Sequence, residues 1–512
     1  MMPEEIIKKL KKSIWPQWKL CFLTSVVLGV IAHLYKITNW LPNWDSLVFR
    51  YDAQNMVNLG RWMLPIVCAP SSFYDLPWLT GLLAIIFHSL GAVCICKMFN
   101  VKKSITAVMI GALVVTFPTV TSVMLYNYVA DGYAISFLFA CMAAMCIANK
   151  KPKYVLSAIL IALSVGIYQA YITVTIMLLL CYIILKVIKE DVDIKELIIT
   201  SVKYLATGVA GMLTYYLVLT AILKITGTEL LEYQGLDNTI AFSGINIFES
   251  LYVVKNAIFE YFFNFSKGIN IFNITNCVVV AITIVLYLTE IIRSKPSIAK
   301  ILVILICLLL LPVGMCVLAF INSHIDYHNL MKMGFCVFYL FLILQYEKTD
   351  FKAKLNNIKQ WAILTVMLVL TVNHIVIANT AYHKLQIAYE KSYGTLIRIA
   401  DRIEQTDGAK NCGKVMVVGA ISESEFYSAH VFADITGTTD GYILRADDEI
   451  VGISVLCSAL NDYCGKNYEF VSGDDKEMLL KNPDVTKMNI WPEKNSVMTI
   501  NDVIVIKLGV ER

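Results

Sequence analysis

The stretch KYVLSAILIALSVGIYQAYITVTIMLLLCYIILKVI at residues 153–188 decides the fold, because it is apolar almost throughout. As a single helix it would be about 50 Å long, much longer than the roughly 30 Å hydrocarbon core of a bilayer. Its only break is Tyr168-Gln169-Ala170-Tyr171, which lacks a strong turn residue. The lysines at 150–153 and at 186–189 share one side of the membrane only if the chain crosses twice. Two membrane-spanning helices are therefore predicted here.

Apolar runs of similar length recur along the chain. Hydrophobic residues make up 58% of the sequence and charged residues 16%, which is typical of a polytopic α-helical membrane protein and not of a globular one. The net charge of +4 is small and the lysines are spread among loops, so nucleic-acid binding has little support. The eleven predicted spans lie roughly at 18–36, 76–97, 104–122, 131–149, 153–168, 171–188, 203–224, 271–292, 298–321, 331–347 and 360–380.

The connections between spans differ in charge from one side to the other. With the N-terminus inside, the inner loops are 97–103, 150–153, 186–203, 293–300 and 348–359, and each of them is basic. The opposite loops carry few lysines but several acidic and aromatic residues. Because lysine-rich loops face the cytoplasm, the N-terminus is predicted to be cytoplasmic and the polar loops to share the outer face.

An odd number of spans places the C-terminal part outside as well. Residues 381–512 contain a helical stretch through Arg402 and strand patterns at Lys414–Gly419 and Asp502–Ile506. The chain is therefore divided into a transmembrane domain, 1–380, and a small extracytoplasmic α/β domain, 381–512. A lid or scaffold is favoured for that domain over a second catalytic centre.

Residues 225–270 form the longest other external segment. Aromatic and aliphatic residues recur in it at helical spacing, which indicates amphipathic helices on the outer surface or packed against the bundle.

The external loop 36–75 carries charge that a membrane loop does not ordinarily need, and it is interpreted as an active site. Asp45 lies nearest the end of a rigid span and is the first candidate for a general base, with local capping as the alternative. Asp52 could be a base, a metal ligand or a salt-bridge partner of Arg50. Arg50 and Arg61 could both supply a cation that holds a phosphate. Arg61 suits a bidentate phosphate contact, with snorkelling to the interface as the alternative.

Polar side chains on the other external loops could bind a sugar or a phosphate. For the tyrosine of the second external loop, Tyr126, the alternative role is aromatic anchoring at the membrane interface. For Gln169 the alternative role is to satisfy backbone groups at a tight turn. A lysine at the start of the tenth predicted span could meet a phosphate at headgroup level, or snorkel to it. These candidates are Tyr126, Asn127, Asp131, Tyr168, Gln169 and Lys332.

His324, Asp326 and His328 alternate along one external loop. Imidazole and carboxylate are suitable ligands for a divalent cation, but such a trio arises easily on a short loop. No metal site is assigned firmly, and a divalent cation is kept as an option.

The loop lengths bear on the donor substrate. The predicted cytoplasmic loops are at most about twenty residues long, too short to house a nucleotide-binding domain, whereas a groove between helices could hold a polyprenyl chain. Sugar transfer from such a carrier needs a base for the acceptor hydroxyl and cations for the departing phosphate.

Three segments carry a resemblance: Trp44-Asp45-Ser46-Leu47, Gly60-Arg61-Trp62 and Tyr74-Asp75-Leu76-Pro77. With Leu125–Tyr128, Gly166–Tyr171 and the terminal segment from Ile490 to Lys507, they resemble the Gtr-type family called glucosyl transferase II. The resemblance implies a GT-C fold in a bacterial inner membrane. It also implies transfer of a sugar, usually glucose, from polyprenyl (undecaprenyl) phosphate to a surface glycan such as O-antigen. The family often has paired acidic residues in this loop, and here the second place is Ser46, which leaves Asp52 as the partner.

The predicted mechanism is a single, inverting displacement, with inversion implied by the resemblance. Asp45 activates the acceptor hydroxyl while Arg61 and Lys332 hold the donor phosphate. A carrier-loading glucosyltransferase and a flippase are the implied functional neighbours. A polysaccharide polymerase or ligase and a lipid-linked sugar transporter or flippase remain as alternatives.

Overall fold

The structure is a computed structural model that describes residues 15–49, 52–71, 76–189, 193–231, 246–263, 271–294, 296–348, 354–421 and 451–510. Within this part of the chain the helices of the bundle and of its loops are α1 Pro16–Thr38, α2 Trp44–Val48, α3 Leu64–Cys68, α4 Pro77–Met98, α5 Ser104–Thr116, α6 Pro118–Leu125, α7 Ala130–Ile147, α8 Tyr154–Ile167, α9 Ile172–Lys189, α10 Ile194–Thr226, α11 Ile247–Phe263, α12 Ile271–Ser294, α13 Ile298–Met315 and α14 Cys336–Lys348. The elements that follow are α15 Lys354–Glu404, β1 Lys414–Val418, α16 Val451–Cys464, β2 Glu469–Phe470, α17 Gly473–Leu480, α18 Pro483–Lys487, β3 Val497–Ile500 and β4 Val503–Lys507.

The predicted polytopic helical fold is confirmed. Ten helical segments in the described part of the chain are long and apolar enough to cross a membrane. The remaining predicted span, 153–168, corresponds to the shorter helix α8, which has 14 residues. The stretch at 153–188 is therefore two helices, as the lysine positions predict.

The break between α8 and α9 lies at Tyr168, whose backbone is extended with φ −152° and ψ 114°. Another loop closes against this break: the amide N–H of Met63 donates to the carbonyl of Gly166 over 2.9 Å. Gly166 permits the approach, because a Cβ atom there would lie 2.6 Å from the indole of Trp62. The break lacks a strong turn residue of its own and is therefore stabilised by the loop that contains Gly60-Arg61-Trp62.

A second interruption separates α5 from α6. Phe117 has φ −58° and ψ 138°, outside the helical region, and Pro118 is the first residue of α6. A residue before proline avoids the helical region, which explains the break. The helix α6 ends at Leu125, and one 3-10 turn, Asn127–Val129, leads into α7. This turn carries part of the polar surface considered below.

The helix α15 has 51 residues and extends from the bundle to the α/β unit. The sheet has the strand order β2-β1-β4-β3. Strand β1 pairs in parallel with β2 and β4, and β3 and β4 form an antiparallel hairpin. Asn501 and Asp502 form its turn with φ of 51° and 59°, the left-handed conformations that a two-residue hairpin turn requires. The two strands predicted from sequence are confirmed as β1 and β4.

Both faces of the sheet are covered. On one face Val415, Val417 and Ile504 join a cluster with residues of α15 and α16. On the other face Met416 and Val505 pack against residues around α17 and α18. Burial on both faces explains why the strands are apolar runs and not alternating patterns.

The helix α11 lies within the segment predicted to hold amphipathic helices. It exposes Phe248 and Tyr252 and buries Val254, Tyr261 and Phe262. The residues 232–245 and 264–270 of the same segment lie outside the described residues.

We expect Gly166→Ala to destabilise the protein by about 1–3 kcal/mol, because its Cβ overlaps the Trp62 ring in a packed site. The matched control is Gly394→Ala in α15, where an added Cβ atom would have no neighbour within 4 Å among the described residues. Removing a helical glycine there should be neutral or stabilising by up to about 1 kcal/mol. The measurement is the unfolding midpoint in detergent, and equal shifts for both variants would contradict the close approach at Gly166.

Candidate active site

A cavity of about 1060 Å³ runs between α8, α9, α10 and α13. Its walls are aliphatic, with Ile161, Leu180, Leu205 and Leu310 contributed by these four helices in turn. Leu205 is 70% exposed, so the cavity opens sideways onto the apolar outer surface of the bundle. A cavity of this kind suits a hydrocarbon chain that enters from the bilayer.

One end of the cavity is polar. Among the described residues that line it, Asp45 and Arg61 carry formal charges. Five of the residues proposed from sequence meet around this end, and His328, proposed as a metal ligand, lies there too. The polar end is formed by Asp45, Arg61, Tyr126, Tyr128, Tyr133, Tyr168, Gln169 and His328.

Arg61 is held on an aromatic platform. Its guanidinium carbon lies 5.1 Å from the centre of the Tyr168 ring, and its Nη1 donates to the Tyr133 hydroxyl over 2.9 Å. The rings of Tyr133 and Tyr168 stack with their centroids 4.3 Å apart. Cation–π contact and the hydrogen bond together fix the plane of the guanidinium. An oriented guanidinium is well suited to bind an anion at the mouth of an apolar groove.

The backbone that carries Arg61 is fixed by two long-range hydrogen bonds. The Tyr215 hydroxyl of α10 donates to the Gly60 carbonyl over 3.0 Å, and Gln169 Nε2 donates to the Leu59 carbonyl over 2.8 Å. Gly60 has φ 75°, and a Cβ atom there would lie 2.6 Å from the Tyr215 oxygen. Gln169 therefore lines the cavity and also satisfies the backbone, the alternative that its position at a turn suggested.

Asp45 lies in the first turn of the short helix α2 and is half-buried at the cavity. Asn43 Oδ1 caps this helix, accepting from the Ser46 amide over 2.9 Å and from the Ser46 hydroxyl over 2.8 Å. Ser46, at the place of the second acidic residue, is thus a buried part of the cap. Asp45 and Arg61 both lie within electrostatic range of the Tyr128 hydroxyl.

Three predicted residues are not among the described residues that line the cavity. Asp52 is exposed, and its Oδ1 accepts from the Gln54 amide over 2.8 Å in a local turn. Asp131 is buried and accepts hydrogen bonds from the Ser71 hydroxyl and the Gly132 amide. Asn127 is 1% exposed and does not line the cavity. The structure does not bring these side chains to the site.

Lys332 and Arg50 have different outcomes. Lys332 is buried at 6% exposure and is not part of the cavity lining, although its charge acts on His328 together with that of Arg61. Arg50 lies outside the described residues, so its pairing with Asp52 and its contact with a phosphate both stay predictions.

The trio at 324–328 is split between two environments. His324 Nε2 lies 3.8 Å from Glu249 Oε2 of α11, and Asp326 is exposed, whereas His328 lines the cavity. Across the described ranges no three His, Cys, Asp or Glu side chains are grouped to hold a metal ion. The structure therefore does not bring the trio together as a metal site.

His328 presents a neutral imidazole to the cavity. Its Nδ1 is buried and has no hydrogen-bond partner among the described residues. Burial lowers the pKa of His328 to about 4; Asp326 opposes this shift, while Lys332 and Arg61 add to it. A neutral imidazole has one donor and one acceptor nitrogen, so the ring can hydrogen-bond a ligand without carrying a charge.

Tyr128 and Tyr133 were not among the residues proposed from sequence. Tyr128 lies in the turn that follows Tyr126, so the sequence-based choice of Tyr126 already indicated this part of the chain. Tyr133 lies inside an apolar helix, and it joins the site through its stacking with Tyr168 and the hydrogen bond that its hydroxyl accepts from Arg61.

The family model described as Glucosyl transferase GtrII matches residues 34–345. This range is more than half of the chain, and it contains Asp45, Arg61, the helix break at Tyr168 and His328. No curated protein and no solved structure gives a match. The chain belongs to the Glucosyl transferase GtrII family and is a multi-pass membrane glycosyltransferase.

Proposed function

We propose that the enzyme transfers a sugar, glucose, from polyprenyl (undecaprenyl) phosphate to a bacterial surface glycan such as O-antigen. The reaction takes place at the outer face of the bacterial plasma membrane, with the N-terminus inside and the α/β unit outside. The observation that carries this proposal is the cavity, which joins an aliphatic groove open to the side with an oriented cation and a carboxylate at one end.

The groove supports a lipid-linked donor. Val209 and Ile306 line it and are 60% and 57% exposed on the bundle surface, so a hydrocarbon chain reaches it from the bilayer without crossing water. A polyprenyl chain gains free energy from burial against these aliphatic walls. Its phosphate then lies at the polar end, beside Arg61.

Arg61 stabilises the departing phosphate. As the bond between the anomeric carbon and the phosphate oxygen breaks, negative charge grows on polyprenyl phosphate, and a fixed guanidinium stabilises it without reorganising. Lys332 adds positive potential from within the wall and does not need to touch the phosphate.

Asp45 acts as the general base. Its carboxylate accepts the proton of the acceptor hydroxyl while that oxygen attacks the anomeric carbon, and polyprenyl phosphate leaves with the electron pair of the broken bond. One displacement inverts the anomeric centre. The surrounding tyrosines and the neutral His328 hydrogen-bond the sugar hydroxyls.

The wider setting follows from this reaction. A loading glucosyltransferase must place the sugar on the carrier, and a flippase must turn the loaded carrier outward. Binding of a divalent cation stays a prediction.

We expect Asp45→Asn to reduce transfer by about 10²–10⁴-fold, the range over which a positioned general base acts. The measurement uses purified protein in nanodiscs with radiolabelled polyprenyl phosphate glucose and an envelope glycan acceptor. Asp52→Asn tests the other acidic candidate; because Asp52 is exposed and away from the cavity, its rate should stay within about twofold of wild type. Normal transfer by folded Asp45→Asn would remove Asp45 from the mechanism. Product chain length separates single transfer from a polymerase.

We expect His328 to act in its neutral form. Its pKa of about 4 lies below the ordinary value of 6.5, so the ring becomes cationic only as the pH falls through about 4. His328→Gln, which keeps a neutral hydrogen-bonding group, should remain within about threefold of wild type, whereas His328→Leu should lose roughly tenfold. Initial rates from about pH 5.5 to about pH 8 provide the test. An inflection near the ordinary pKa that disappears in His328→Gln would instead indicate a cationic role.

A further inference from the structure

We propose that the C-terminal α/β unit positions the catalytic carboxylate, and that Leu47 is the residue through which it does so. This inference rests on the proposed function, because it takes Asp45 as the base. It gives the α/β unit a part in the reaction of the bundle and needs no second catalytic centre.

The helix that carries Asp45 cannot define a position by itself. It has five residues, Trp44–Val48, and helices shorter than about 12 residues are marginal without tertiary packing. The Asn43 cap holds its first turn but does not fix the direction in which the helix lies. Its orientation therefore depends on what packs against it.

Leu47 provides that packing. The side chain is 2% exposed and belongs to the hydrophobic cluster of the α/β unit, which is separate from the cluster of the bundle. Its cluster partners include Leu396 and Ile399 of α15 and Leu460 of α16. Trp40, just before α2, packs against the same cluster. The core of the α/β unit thus holds a side chain from the first external loop.

Asp45 and Leu47 lie on opposite sides of α2. Two residues along a helix correspond to a rotation of about 200°, so one side chain reaches the cavity while the other enters the α/β core. The short helix acts as a spacer between the two. A shift of the α/β surface would move the carboxylate, and a misplacement of about 1 Å can reduce a rate about 10²-fold.

The test compares Leu47→Ala with Leu47→Met in the nanodisc assay, measuring kcat and the KM for polyprenyl phosphate glucose. We expect Leu47→Ala to lower kcat by about 10- to 100-fold with KM for the donor changed less than about threefold, because the groove and Arg61 are untouched. Leu47→Met, which conserves volume, should restore kcat to within about threefold.

A control variant separates positioning from general loss of stability. Val505→Ala cuts the core on the opposite face of the same sheet, away from α2, and should leave kcat within about twofold of wild type. Leu460 of α16 belongs to the same cluster as Leu47, so Leu460→Ala should reproduce the kcat loss. If Leu47→Ala does not fold, Leu460→Ala replaces it in the test.

A double-mutant cycle identifies the group through which Leu47 acts. In the Asp45→Asn background, Leu47→Ala should cause no further loss, because the base it positions is already absent. Full multiplication of the two losses would overturn the inference. So would a wild-type kcat in folded Leu47→Ala, or in folded Leu460→Ala, while Asp45→Asn remains inactive. Normal transfer by Asp45→Asn would instead overturn the base assignment itself, so the two failures are distinguishable.

Discussion

The docking of the loop between α1 and α4 onto the break between α8 and α9 is the contact on which the site depends. A helix that ends inside a membrane protein leaves backbone N–H and C=O groups unpaired, and other parts of the protein must provide their hydrogen-bond partners. Here the Met63 amide bonds the Gly166 carbonyl, and Gln169 returns a hydrogen bond to the Leu59 carbonyl. Glycine at 60 and 166 lets the two segments touch. The same contact that closes the break also sets Arg61 on the ring of Tyr168.

This arrangement places an aliphatic surface and a polar surface next to each other in one cavity. The cavity is aliphatic where α10 and α13 border the lipid-facing surface and polar where the loop crosses it. Charge concentrated at one end, against an apolar wall, acts in a low dielectric and is correspondingly strong. The long helix α15 joins the bundle to the α/β unit, whose core reaches back to the helix that carries Asp45. The site therefore draws on both ends of the chain.

Sequence patterns predicted the elements better than their partners. The two helices at 153–188 and the strands β1 and β4 follow from local hydropathy and charge. Asp45 and Arg61 stood out because charge at a membrane surface is costly, and both line the cavity. The same argument also selected Asp131, whose carboxylate instead bonds the Ser71 hydroxyl inside the bundle. Residue type alone could not distinguish a carboxylate in a buried structural hydrogen bond from one that contacts a ligand, because both are polar groups in an apolar environment.

By itself, the sequence determined that this chain is a multi-pass helical membrane protein with a charged first loop, because span length and loop charge are read within about twenty residues. Only the tertiary structure decided which polar groups share a site. Arg61 meets Tyr168 across the α8–α9 break, His328 turns into the cavity while His324 turns toward Glu249, and Leu47 enters a core built mostly after residue 390. These contacts join segments far apart in the chain, and packing rather than local pattern selects them.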